Sequence, residues 1–350
     1  MHFRPTRRNV LVVGGATIAA QAFHIPAARS VTQAHYAGVN VAGGEFGKIP
    51  GRYGYDYAFP TQSNLSYFAT QGFNIVRIPF RWERLQPQLN AELDAAELKQ
   101  LKATVDAATK LRLTVVLDTH NYAKRRVSSD NWKDAFVIGS QTVPAAAFTD
   151  FCRRLATAFK DNNSIFFGLM NEPTGIKAPE WLPIANDAIA AMRAAGANQL
   201  ILVPGVNYTG AHSWISSGND VMANIADPAN NFAIEVHQYL DKDSSGTSGT
   251  VMSASIGTDR LQAFQNWARS KKLKAFLGEF AAGRDAASLE ALDNICNTLR
   301  ENKDVWLGWT AWAGGGWWPD DYFFNLTPAK DGTPRPQIAT LSRQAKAFIQ

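Results

Sequence analysis

Cysteine is scarce in this chain. Only Cys152 and Cys296 occur among 350 residues, each inside a stretch of helical spacing. There is no CxxC and no Cys/His cluster, so a zinc framework is not expected, and two free, packed thiols are expected in preference to a disulfide between separate helices. Charge is sparse as well: 19% of residues are charged, the net balance is +5, and no basic run points to nucleic acid. Beyond the first 30 or so residues no apolar run approaches the ~20 needed to cross a bilayer, so stable membrane insertion is not expected. No linker rich in Pro, Ser or Thr divides the chain. No glycine fingerprint follows the first strand-like run either, since Gly38-x-Asn40 and Gly43-Gly44 do not make one. What the chain does have is aromatic surface, with ten Trp, nine Tyr and 20 Phe in a sequence that is 46% hydrophobic. That is the composition of a globular protein with a sizeable core.

Residues 1–30 read as an export signal that is removed, leaving 31–350 as one domain. Arg7-Arg8 precedes a weakly apolar Val10–Ala20 segment and small residues, which resembles a bacterial twin-arginine leader. The expected destination is secreted or periplasmic, and the expected mature form is a monomer.

Behind the leader the pattern alternates. Apolar runs of strand length lie at Tyr36–Val41, Phe73–Pro79, Leu113–Asp118, Ile165–Met170, Gln199–Val203, Phe232–His237, Leu273–Gly278 and Val305–Trp312. Helical spacing fills most intervals, over Ser63–Gln71, Asp94–Lys110, Ala145–Phe159, Trp181–Ala195, Thr258–Ser270, Ala286–Asn302 and Gln337–Ile349. Eight strand–helix units in one unbroken composition predict an α/β fold, a single-domain (β/α)8 TIM barrel, whose functional face is the C-terminal one.

Two of these strands end in a carboxylate. Ile165–Met170 runs into Asn171-Glu172-Pro173, where the proline forbids continuation, and Ala275-Phe-Leu-Gly278 runs into Glu279. The two glutamates are 107 residues apart, which places them on the fourth and seventh strands, facing across the barrel mouth. Paired strand-end carboxylates suit glycosidic bond cleavage, one as acid/base and the other as nucleophile or base. Arg77 lies inside an apolar strand, where an unpaired cation would be costly. His120 and His237 both fall at strand ends, and no third ligand is spaced along the chain to join them around a metal. No cofactor and no metal are expected.

These motifs, taken in order, resemble family 5 of the glycoside hydrolases. The resemblance rests on Val76-Arg77-Ile78-Pro79-Phe80, Asp118-Thr119-His120-Asn121-Tyr122, Asn171-Glu172-Pro173, Val236-His237-Gln238-Tyr239, Glu279 and Trp309–Trp312. It runs from about Gly38 to Trp318 and is closest to the endo-β-1,4-glucanase subgroup. It implies a retaining hydrolase of β-linked polysaccharide or oligosaccharide, with Glu172 as acid/base and Glu279 as nucleophile. It further implies that Arg77 and Tyr239 hold the nucleophile and that Asn171 bonds the sugar 2-hydroxyl. His120 and His237 would shape the subsite around the scissile bond, and Trp312 would be the sugar platform, with Trp309 as its rival. Trp82, Tyr122, Trp181, Tyr208, Trp214, Trp317 and Trp318 are candidates for further subsites or for packing. The aromatic Gly314–Trp318 loop and Phe280-Ala-Ala-Gly283 depart from the subgroup, which leaves β-mannanase, xyloglucanase or another β-glucanase as alternatives. A carbohydrate-binding pseudoenzyme is the alternative of a different class.

Overall fold

In the computed structural model, which describes residues 34–127 and 134–350, the strands close on one another. The proposed leader lies outside the described residues. Strands β1 (Tyr36–Val41), β2 (Ile75–Phe80) and β3 (Thr114–Thr119) are followed by a short antiparallel hairpin, β4 (Lys124–Arg126) with β5 (Ala135–Val137). Then come β6 (Ile165–Gly168), β7 (Ile201–Pro204), β8 (Phe232–His237), β9 (Ala275–Glu279) and β10 (Trp306–Gly314). Omitting the hairpin, eight parallel strands form a closed barrel in sequence order, with β10 returning to β1. This is the predicted (β/α)8 barrel.

Helices α1 (Gln62–Thr70), α2 (Trp82–Leu85), α3 (Ala95–Lys110), α4 (Ala145–Phe159) and α5 (Ala178–Ala194) occupy the first half. Helices α6 (Ile256–Ser270), α7 (Ala286–Glu301) and α8 (Pro336–Ile349) complete the described set. The connection from β7 to β8 carries a 3₁₀ turn, Asn219–Asn224, rather than a full helix. Helix α5 begins three residues before the expected Trp181 because Pro179 is tolerated in a first turn, where its missing N–H has no partner to lose. The hairpin and α2 had no sequence signal. Lys124-Arg-Arg126 shows no apolar alternation, and its pairing with Ala135–Val137 is a tertiary event.

The barrel interior is filled in layers. Ile75, Val116, Phe166, Leu202, Ala233, Phe276 and Leu307 form one buried cluster with a residue from each strand except β1, whose Tyr36 packs against it. Strand alternation then carries polar groups up the same inner faces: Ile75 to Arg77, Val116 to Asp118 and His120, Ala233 to Glu235 and His237. The larger cluster lies between barrel and helices and includes Trp82, Trp181, Trp214, Trp306 and Trp309. Cys152 and Cys296 are free and buried there. No helix among the described residues is long and apolar enough to cross a membrane.

Candidate active site

The polar layer at the C-terminal end of the barrel centres on Arg77, which is fully buried on β2. Its Nη1 donates to Asn40 Oδ1 and to Glu279 Oε1, each at 2.9 Å, and its Nη2 donates to Asn171 Oδ1 at 2.8 Å. Asp118 Oδ2 and Glu235 Oε1 approach it at 3.1 and 3.0 Å. Burial alone would lower its proton affinity, but Asp118, Glu235 and Glu279 outweigh that, so it stays a cation. Glu279 is held from a second side by Tyr239, whose hydroxyl donates to Oε2 at 2.7 Å. Burial, then the charges of Glu279 and Glu172, push the Tyr239 phenol well above its ordinary value, so it remains a donor.

Glu172 stands opposite. The chain turns into it through a left-handed backbone, φ +43°, uncommon for a residue with a Cβ and the kind of strain that collects at functional sites. Its Oε1 accepts from His237 Nδ1 at 2.7 Å. Burial is the main reason that its carboxyl is raised above the ordinary range; nearby Glu279 adds to this, against the bond from His237. His237 moves the other way. Burial would lower it, but Glu279 and the contacts with Glu172 and Glu235 push it up to about 10.

His120 is neutral, with burial as the first cause of its lowered value. Arg77 has only donors, so Asn171 must turn its oxygen to it and its amide Nδ2 to His120 Nε2, 3.3 Å away. That leaves the His120 proton on Nδ1, directed at Asp118 Oδ2 at 2.7 Å. Burial, and then Glu235, raise Asp118 to about 7 in spite of Arg77.

One atom from each of Glu172, His237 and Glu279 lies within 4.8 Å of the others. Two things follow. Sequence spacing gave no sign that any group joins His237, whereas the fold brings both glutamates to it, Glu172 from 65 residues away. The spacing would admit a cation; the same side chains also bond within the site, Glu172 to His237 and Glu279 to Arg77 and Tyr239. Carboxyl oxygens this close suit nucleophilic displacement, in which the two groups stand ~5–5.5 Å apart.

The aromatic candidates divide. Trp312 is half-buried, stacks at 6.1 Å and 22° on His120, and donates from Nε1 to Tyr322 at 3.2 Å. Trp309 is fully buried and packs edge-on against Phe73 and Phe280, outside the barrel bore. Trp82, Trp181 and Trp214 are also fully buried and therefore belong to the core, not to subsites. Tyr122 meets His120 Nε2 at 3.1 Å through its hydroxyl, and Trp318 stacks on Tyr322 at 4.2 Å. Trp317 is 38% exposed, and Tyr208 is 52% exposed on the left-handed Asn207–Thr209 turn. Tyr208 lines a cavity of about 410 Å³ together with Glu172, His237, Tyr239, His212 and Ser244.

Sequence reasoning missed three members of the network: Asn40, Asp118 and Glu235. The signal that singled out Arg77, a polar residue on the inner face of an apolar strand, was present for each. The loop after Tyr239 belongs to a segment, His237–Thr247, whose sequence resembles the endoglucanase subgroup, and the fold shows what it does. Asp241 accepts from the backbone of Gly246, Thr247 and Ser248 at 3.1–3.3 Å and so lays Gly246 against the Tyr239 ring.

A parallel barrel with two close carboxyl groups at its C-terminal mouth, one of them clamped by arginine and tyrosine, is the architecture of a glycoside hydrolase. Within that class the chain belongs to glycosyl hydrolase family 5: the family's pattern, described as Cellulase, matches residues 32–315. Endo-beta-1,4-glucanase B of Emericella nidulans is 35% identical over 336 residues, covering 95% of this chain and 98% of that protein. Among solved structures, XacCel5A in complex with cellopentaose is 47% identical, with a TM-score of 0.85 over 89% of this chain and 99% of that one. The endo-beta-1,4-glucanase Xac0029 from Xanthomonas axonopodis pv. citri is 43% identical, with a TM-score of 0.86 over 90% and 100%.

Proposed function

We propose that this chain is a retaining endo-β-1,4-glucanase that cuts inside β-1,4-linked glucan chains, with Glu279 as nucleophile and Glu172 as acid/base. The observation that carries the proposal is the approach of these two side chains within 4.8 Å, with only Glu279 clamped by Arg77 and Tyr239. Glu279 attacks the anomeric carbon while Glu172, whose carboxyl is raised by burial, protonates the departing oxygen. Glu172 then acts as base on the water that releases the product. Asn171, fixed by Arg77 and His120, is placed for the sugar 2-hydroxyl, and Trp312 for the face of the ring at the cleavage point. The cavity beside Glu172 takes the leaving end of the chain. The similar proteins named above support the substrate class, both by their glucanase names and by the cellopentaose complex.

In this reading the enzyme works as a monomer and is exported. The Arg7-Arg8 pair before an apolar segment supports export, and residues 31–350 are the catalytic domain. The test follows viscosity and released reducing ends together, on carboxymethylcellulose and on a mannan. A viscosity drop that outruns reducing ends on the cellulose derivative alone supports the proposal. Attack confined to mannan would keep the carboxylate pair and move the substrate. No turnover on any β-glucan would overturn catalysis itself.

A further inference from the structure

Glu235 plays no part in the chemistry just described, yet it stands behind both catalytic candidates. It lies on β8, two residues before His237 and on the same inner face, and it is 1% exposed. Its Oε1 is 3.0 Å from Arg77 Nε and 3.5 Å from His237 Nε2. Those two cations are the ones that reach the paired carboxyl groups: Arg77 bonds Glu279, and His237 bonds Glu172 at 2.7 Å while lying 3.6 Å from Glu279. The neighbouring strand makes room for this carboxylate. A Cβ on Gly278, immediately before Glu279, would lie 2.2 Å from Glu235 Oε1 and 2.8 Å from His237 Nε2. No side chain fits there unless the carboxylate moves.

We infer that Glu235 is a positioning residue that holds His237 as an imidazolium, so that its Nδ1–H stays on Glu172 throughout the reaction. The inference rests on Glu172 being the acid/base. The charged groups that face Glu235 are Arg77 from β2, Asp118 from β3 and His237 on β8, and those that face His237 in turn are Glu172 beyond β6 and Glu279 on β9. If all were ionised, four carboxylates would face two cations in a buried site. As Glu172 gives its proton to the leaving oxygen, Glu279 passes from carboxylate to uncharged glycosyl ester, so the buried negative charge moves to Glu172, and a cation bonded to Glu172 makes that state accessible. A neutral imidazole would supply only a weak dipole. Glu235 is itself held below the ordinary carboxylate range: burial would raise it, but Arg77 and then His237 outweigh that. It stands as the anion behind the ring, 3.0 Å from Arg77 Nε and 3.5 Å from His237 Nε2.

The test is a ¹⁵N titration of the His237 imidazole by NMR in the whole mature protein, with and without Glu235→Gln. In the wild type both ring nitrogens should stay protonated through pH 8. In Glu235→Gln the ring should lose its second proton at least tenfold more readily, within the range pH 6–9, and Glu235→Asp should restore part of the difference. A His237 that is already neutral at pH 7 in the wild type would overturn the inference even if no variant folds. A Glu235→Gln variant whose His237 titrates like the wild type would overturn it as well. Neither result touches the glucanase reading. That reading fails separately, if a 2-fluoro cellobioside label does not land on Glu279.

Discussion

Replacing Glu172 by Gln separates the chemistry of this residue from its effect on the fold. The amide keeps the shape and can still accept from His237 Nδ1, so the site should assemble. What disappears is the proton. General acid–base help of this kind contributes ~10²–10⁴-fold, or roughly 3–5.5 kcal/mol of barrier, and hydrolysis of cellopentaose should fall by that factor. A 2,4-dinitrophenyl cellobioside needs no protonation to leave, so its first step should remain near the wild-type rate. The second step, deprived of its base, should stall and produce a burst, and azide should restore turnover as a small nucleophile. Stability should change in the opposite sense. The Glu172 carboxyl is raised in the fold, chiefly by burial, from an unfolded value of about 4.3. Its contribution to stability is complete below that unfolded value and is lost as pH rises through the higher folded one. Glutamine has nothing to lose there. The melting temperature of Glu172→Gln should therefore equal the wild type's near pH 4 and exceed it at pH 7–8. Each unit of displacement is ~1.36 kcal/mol. At ~2.1 cal/mol/K per residue over roughly 320 residues, that is ~2 °C per unit. Near-wild-type hydrolysis of cellopentaose would refute the assignment. A melting difference that stays flat from pH 4 to 8 would refute the burial argument.

Tyr239→Phe removes one hydrogen bond to a buried charge, worth ~1.5–3 kcal/mol, so kcat/KM should drop ~10–150-fold with the circular dichroism unchanged. Gly246→Ala should act through the same ring: its Cβ would meet Tyr239 at 2.8 Å at φ +71°, so combining it with Tyr239→Phe should cost less activity than the product of the two. Arg77→Lys keeps the charge but not the fork that serves Asn40, Asn171 and Glu279, and breaking a buried network of this kind costs ~3–5 kcal/mol. Calorimetry should show a melting point roughly 4–8 °C lower, with activity lost at all temperatures. Trp309→Ala and Trp312→Ala should give opposite signatures. The first empties a core position, costs ~3–5 kcal/mol of stability and leaves KM unchanged; the second raises KM for cellopentaose with a smaller loss of stability.

Alternation explains both what could be read from the chain and where the reading stopped. A strand buried on both faces announces itself by length, and an ion inside it announces a partner, which is how Arg77 stood out. The same logic applies to Asp118 and Glu235, each two residues from a polar strand-end neighbour on its own face. Their partners lie on other strands, however, and only closure of the barrel identifies them. Parity itself then fails where the site is made. With Phe276 pointing into the bore, strict alternation would turn Glu279 outward. The register shift opposite Val236 and His237, at Gly278, turns it in and pairs His237 with Glu279. On β10 a second shift, between Trp306 and Gly308, sets Gly308 against Phe276 and Trp309 against Leu277. That faces Trp309 toward the helices and lets Thr310 and Trp312 follow the inner face. Glu172 departs from its strand through a left-handed turn that no periodicity contains. The residues that carry the proposed chemistry are therefore those at which regular strand geometry gives way. A sequence pattern can locate such a residue at a strand end; its direction comes from the neighbouring strand that forces the shift.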